Sequence, residues 1–164
     1  MNLAIMAARH QLASLNLDEI RRLGPEPLDP RFTFSDFARL FEGRTGRIKA
    51  LLMNPTFIAG IGNIYSDEIL YAARIQPLGR VDQLVEPGLS PLYRCMRAVL
   101  RKAIRLRGTG IEGSRDCPAG YDKVRMVYHQ KLCPNGHVVH RIRASGRSAH
   151  FCPLEQKLYR HAST

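Results

Sequence analysis

The tightest constraint on this chain is residues 54–68, "NPTFIAGIGNIYSDE", an irregular link between two helical patterns. "RIKALLM" (47–53) must stop at Asn54, because Pro55 biases the residue before it away from helical dihedrals. "NIYSDEILYAARI" (63–75) restarts a helix, with Ile64, Ile69, Leu70 and Ala73 as its inward positions. A helix mouth exposes unpaired N–H groups and the positive end of the macrodipole, so a phosphate seated there gains several hydrogen bonds. Gly60 and Gly62 permit close approach, and Asn63 either caps the helix or turns its amide NH₂ outward. Lys49, on the preceding helix, can bring an ammonium to the same phosphate. A plain tight turn with an asparagine cap explains the four residues G-I-G-N equally well. The G-K-[S/T] that completes a nucleotide-binding loop is missing and no strand precedes the turn, which argues against a nucleotide site.

At 164 residues the chain has room for one core, or one modest domain with a small appendage. A short helix around "LAIMAARHQLASL" leads into "LGPEPLDP", whose three prolines enforce an extended linker. "TFSDFARLF" reads as a helix capped by Thr33 or Ser35, with Phe34, Phe37, Ala38 and Phe41 on one face and Gly43 at its end. "SPLYRCMRAVLRKAIRLRG" is the longest helix, with Leu92, Cys95, Met96, Val99, Ala103 and Leu106 clustered on one side. Opposite them, Arg94, Arg97, Arg101 and Arg105 form either a phosphate-facing stripe or an ordinary solvated face. Residues 108–120 read as a loop, "KVRMVYH" alternates as a strand does, and "HVVHRIRA" with "RSAHFCP" reads as a hairpin turning at Ser145 and Gly146. The expected fold is mainly α: an N-terminal segment and linker over 1–28, a helical domain over 29–112, and a loop with a small β hairpin over 113–164.

Charge narrows the function. The net charge is +11, and residues 81–164 carry 15 basic against 6 acidic side chains, where residues 1–80 carry 10 against 8. Such a field attracts polyanions, chiefly nucleic acid phosphates or anionic lipid headgroups. No apolar run approaches the roughly 18 residues that span a bilayer, and the four cysteines form no dense disulfide pattern. A soluble, cytoplasmic protein associated with the nucleoid is the expectation, with metal binding open to the last cysteine pair. Cys95 reads as core and Cys117 as loop, neither with a histidine that would make it a nucleophile. Asp67 and Glu68 read as first-turn acids that complement the helix dipole.

The segments "LGPEPLDPRFTFSDFARLF", "GRIKALLMNPTFIAGIGNIYSDEILYAARIQPL", "GYDKVRMVYHQ" and "GRSAHFCP" together resemble the formamidopyrimidine-DNA glycosylase / endonuclease VIII family, from about Leu23 to the C-terminus. The resemblance implies a helix–two-turn–helix bundle followed by a zinc-finger-like hairpin, and a function in base-excision repair on damaged or abasic duplex DNA. Lys49 and Asn63 match the family's phosphate-holding lysine and asparagine, and Arg147 matches the hairpin arginine that grips the backbone. These are positioning contacts, not sequence readers. The family's catalytic N-terminal proline and adjacent glutamate are not matched, since Asn2 and Leu3 stand where they would follow Met1. No catalytic residue is therefore assigned, and turnover is expected to need a separate catalytic domain or chain. The family's C-x2-C-x16-C-x2-C zinc pattern is also altered. Cys133 and Cys152 keep two places, while Gly136 and Glu155 fill the others. His137 is the candidate second ligand and Glu155, His150 or His140 the fourth; the alternative is a hairpin that folds without metal. The rival to the repair reading is a non-enzymatic RNA- or ribosome-binding module.

Overall fold

The computed structural model describes residue 18 and residues 21–84, 86–110, 120–144 and 146–158. The helix expected near the start, Asn2, Leu3 and Cys117 lie outside these residues. Helix α1 (Phe34–Arg39) starts where Thr33 and Asp36 cap each other reciprocally, the Thr33 side chain accepting from the Asp36 N–H and the Asp36 carboxylate accepting from Thr33. Helix α2 (Ile48–Leu52) follows, then α3 (Asn63–Ala72) and α4 (Glu86–Arg105). The last starts four residues before the expected Ser90. Among the described residues no helix is long and apolar enough to cross a membrane.

The core forms where these helices meet. Phe37 of α1, Ile48 and Leu52 of α2, Ile69 and Leu70 of α3, and Leu92, Met96 and Leu100 of α4 are all fully or almost fully buried. Phe32, Phe37, Phe41, Phe57 and Tyr93 interlock edge-on or tilted, with ring centroids 4.9 to 6.3 Å apart.

Contrary to expectation, the proline-rich stretch is not extended throughout: it turns at Pro27 and Leu28, where Asp29 N–H donates to the Glu26 carbonyl at 3.1 Å, and its first half is stitched to the link between α2 and α3. Gly24 N–H donates to the Pro55 carbonyl at 2.8 Å and Ala59 N–H to the Pro25 carbonyl at 3.1 Å. Arg97 holds the neighbouring turn through the carbonyls of Pro27, Asp29 and Phe32. It is therefore a staple of the fold, while Arg94, Arg101 and Arg105 are exposed.

The basic half ends in an antiparallel hairpin, β1 (His140–Ala144) and β2 (Arg147–Phe151), with Ala144 opposite Arg147 and His140 opposite Phe151. The strand expected at 123–129 does not form. Residues 120–124 make a 3₁₀ turn, and the amides of residues 126–128 bond to a side chain instead of a neighbouring strand. Helices and one two-stranded hairpin thus make up the described fold.

Candidate functional site

Helix α3 organises the candidate site. Gly62 is its N-cap, so the expected cap by Asn63 is corrected: Asn63 is the first helical residue. The first i→i−4 bond runs from Ser66 N–H to the Gly62 carbonyl at 2.9 Å, which leaves the amides of the first turn without an intrahelical acceptor. The two glycines answer to different needs. Gly60 sits at φ +80°, where the turn itself demands glycine. Gly62 sits at φ −96°, and a Cβ there would meet nothing within 4 Å. The fold does not require glycine at Gly62; its bareness opens the helix mouth to whatever approaches from outside.

Beneath that mouth lies a buried polar network. Asn63 and Asp67 are one turn apart on the same face of α3. Asp67 Oδ1 accepts from Lys49 Nζ at 2.5 Å, and Asp67 Oδ2 accepts from the His150 N–H at 2.9 Å and lies 3.2 Å from His150 Nδ1. The Lys49 ammonium also donates to the Ser148 carbonyl at 2.8 Å. Both side chains are essentially inaccessible, at 1% and 0% exposure. Lys49 is thus corrected from a phosphate contact to an internal strut. Its five-residue helix buries Ile48, Lys49, Leu51 and Leu52 together, and Asp67 supplies the counter-charge. Burial, partly offset by Asp67, holds the Lys49 ammonium below the usual lysine pKa, and the nearby Arg147 charge pushes the same way.

Glu68 is the second buried acid of α3. Its carboxylate accepts from the N–H groups of Met126, Val127 and Tyr128 at 2.7, 2.9 and 2.9 Å. Charge-assisted bonds of this kind contribute about 1.5–3 kcal/mol each. Asp67 and Glu68 therefore serve as tethers, not as complements to the helix dipole; neither belongs to the first turn. Tyr128, so fixed, brings its hydroxyl to 3.5 Å from the Asn63 amide nitrogen, while its ring packs edge-on to His150 at 4.9 Å and Arg125 stacks over it at 5.4 Å. The Asn63 side-chain oxygen Oδ1 is buried without a hydrogen-bond partner. Sequence reasoning missed Tyr128 and gave Asp67, Glu68 and His150 other roles; the one available signal was a pair of acids set directly before the apolar run of α3.

Strand β2 enters the same network at its first residues. Arg147 is exposed and adjoins Ser148, whose carbonyl holds Lys49. Exposed Arg141 and Arg143 line a depression with Ile142, Gly146 and Ser148 on the same hairpin. The helix mouth and the hairpin arginine are thus joined through Asn63, Tyr128, His150, Asp67 and Lys49.

A profile described as "Formamidopyrimidine-DNA glycosylase H2TH domain" matches residues 23–115. The chain belongs to the formamidopyrimidine-DNA glycosylase family. Its relatives in that family include the formamidopyrimidine-DNA glycosylase of Pelotomaculum thermopropionicum, 38% identical over 87% of this chain and 54% of the relative. The chain spans about half the length of the curated relatives it matches. Among solved structures, MutM (Fpg) from Thermus thermophilus superposes with a TM-score of 0.75 at 38% identity, covering 85% of this chain and 56% of that one. The Lactococcus lactis Fpg complex with DNA containing an abasic site gives 0.75 at 30% identity, covering 87% and 56%.

A second cluster joins the hairpin to the end of α3. Cys133, His137 and Cys152 bring one ligand atom each to within 4.8 Å of one another, a group able to hold a metal ion. Both sulfurs belong to buried residues packed with Tyr71 and Val127. Burial pushes the Cys133 thiol up, but the His137 N–H, the Tyr71 hydroxyl and the Asn135 N–H directed at its sulfur outweigh this and leave it below the usual thiol value. Burial raises Cys152. The expected fourth ligands are corrected. Glu155 lies outside this group, its carboxylate bonded to Arg74 and to the Asn135 amide. His150 is committed to Asp67 and His140 packs on Phe151 at 5.9 Å.

Proposed function

We propose that this chain is the DNA-gripping part of a formamidopyrimidine-DNA glycosylase-like repair protein, holding the backbone of a damaged or abasic duplex. One observation carries the reading: an open helix mouth at Gly62 and Asn63 is tied through a single buried network to the hairpin that presents Arg147. Phosphate seated at the mouth meets free amides, the Asn63 side chain and the Tyr128 hydroxyl, while Arg147 and its neighbours Arg141 and Arg143 supply positive charge. Such contacts carry no base code, so the duplex is selected by deformability and by the ease of extruding a damaged base. Two thiolates and an imidazole suit zinc, which in the hairpin would fix the Cys133 turn against β2.

Titrating the protein into labelled duplex with an abasic analogue, undamaged duplex and structured RNA tests this. The abasic duplex is expected to bind tightest. Arg147→Ala should flatten the dependence of log K on log salt by about 0.9, whereas Asn63→Ala should weaken binding without changing that slope. Equal or tighter binding to RNA, or an unchanged slope in Arg147→Ala, refutes the reading.

A further inference from the structure

Glu155 stands three residues after Cys152, where a fourth metal ligand would be expected, yet its carboxylate is drawn elsewhere. It pairs with the Arg74 guanidinium, accepts from Asn135 at 2.7 Å, and lies 3.2 Å from His137 Nδ1. That last approach is within ion-pair range but off the line of a hydrogen bond, so the buried nitrogen stays unpartnered.

Arg74 is held in place by an unusual device. Helix α3 ends in a Schellman arrangement, with Ile75 N–H on the Leu70 carbonyl at 2.9 Å and Arg74 N–H on the Tyr71 carbonyl at 3.0 Å. The left-handed position of this motif normally belongs to glycine, yet it is filled by Arg74 at φ 59°. A side chain there is a local cost, and what it provides is the guanidinium on Glu155. The backbone is locked as well, since Lys157 N–H donates to the Arg74 carbonyl at 3.0 Å.

We propose that Cys133, His137 and Cys152 hold a zinc-class ion through three protein ligands and leave its fourth position open to a small exogenous ligand, while Arg74 keeps the Glu155 carboxylate out of that position. The proposal rests on the metal reading above. Two sulfurs, one nitrogen and an open place is the ligand pattern of exchangeable, substrate-accepting zinc sites, not of closed structural ones. Access is from the turn that precedes β1, where Pro134, Asn135 and Gly136 are exposed and His137 is half-buried. Glu155 then acts on the ion indirectly, as a negative charge beside the His137 ring.

The test is cobalt(II) titration of the full chain followed by its visible d–d and near-ultraviolet thiolate bands, before and after adding 2-mercaptoethanol. The wild type is expected to bind one equivalent and to gain thiolate charge-transfer intensity with the thiol. Glu155→Ala should respond in the same way, with cobalt affinity lowered by no more than about 10- to 100-fold. Arg74→Gly relaxes the backbone, so it keeps the fold while releasing the carboxylate, and its thiol response should fall. A wild-type spectrum indifferent to thiol, with a response appearing only in Glu155→Ala, makes Glu155 the fourth ligand and overturns the proposal. An Arg74→Gly response equal to wild type overturns the role of Arg74. Failure of cobalt to bind at all sinks the metal reading itself, and duplex binding measured on the same samples shows that the DNA reading stands or falls separately.

Discussion

Asp67→Asn isolates the buried strut. The amide keeps the shape and an acceptor for the His150 N–H, but it leaves the Lys49 ammonium without its counter-charge at 1% exposure. Breaking a buried pair from one side costs about 3–5 kcal/mol. An independent ceiling comes from the lysine itself, which can always shed its proton. From a free value of about 10.4 down to about pH 7, that costs about 4.6 kcal/mol at roughly 1.4 kcal/mol per unit. The two figures agree, and the loss is a large share of the roughly 5–15 kcal/mol that holds a domain together. The sign of the pH dependence follows. Burial already lowers Lys49, and losing Asp67 removes the group that pulls it back up. In the variant the unfolded chain therefore binds the proton more strongly than the folded one, and stability rises with pH by up to about 1.4 kcal/mol per unit. The wild type shows this slope only at more alkaline pH. Urea unfolding of both proteins from about pH 7 to 9 measures it. A deficit under about 1 kcal/mol, or one that does not shrink with rising pH, refutes the reasoning. Lys49→Met in the Asp67→Leu background serves as control, because it removes both charges and leaves only the cost of the His150 N–H without its acceptor, about 1–3 kcal/mol.

Gly24→Ala would place a Cβ 2.5 Å from the Phe57 carbonyl carbon and oxygen and 2.8 Å from the Ile58 nitrogen, all backbone atoms. A loss of about 1–3 kcal/mol in urea unfolding is expected, since the extended stretch must pull away from the link it braces. Asp29 is lowered from 3.8 to about 2, first by the Arg31 side chain and then by the Arg31 N–H. A depressed carboxyl stabilises above its unfolded value and loses that contribution as pH falls through its folded one, so the melting-temperature gap between wild type and Asp29→Asn should close between about pH 4 and 2.

Much of the helical architecture was legible in local sequence because punctuation and period fix it. Pro55 ends α2, Thr33 starts α1, and the apolar rhythm of α4 marks its buried side. The hairpin was legible because its strands flank Ser145 and Gly146. What could not be read was where hydrogen bonds go over distance. "KVRMVYH" has a strand's alternation, but the Met126, Val127 and Tyr128 amides find Glu68, nearly sixty residues earlier. Lys49 lies on a helix of little more than one turn, where period cannot tell an outward face from an inward one. Its partner Asp67 was in plain view, but pairing the two needs three dimensions, whereas the short spacing of Cys133 and His137 was enough to read those two as neighbours.

The two acids of α3 are consecutive and point at different pieces of the chain. Asp67 fastens β2 and Glu68 fastens residues 126–128, so both outlying segments are referenced to the one helix whose first turn forms the open mouth. A buried ion pair is weak evidence for stability, since desolvation consumes most of its attraction. Its retention here is better explained by position. Ammonium, carboxylate and amide groups fix direction and register, which interchangeable apolar contacts do not, and a clamp on a stiff polyanion works only if its arginine and its helix mouth keep a set spacing. The apolar control at Lys49 and Asp67 separates these roles: weakened binding of the abasic duplex under conditions where the variant is still fully folded is the outcome that a positional strut requires.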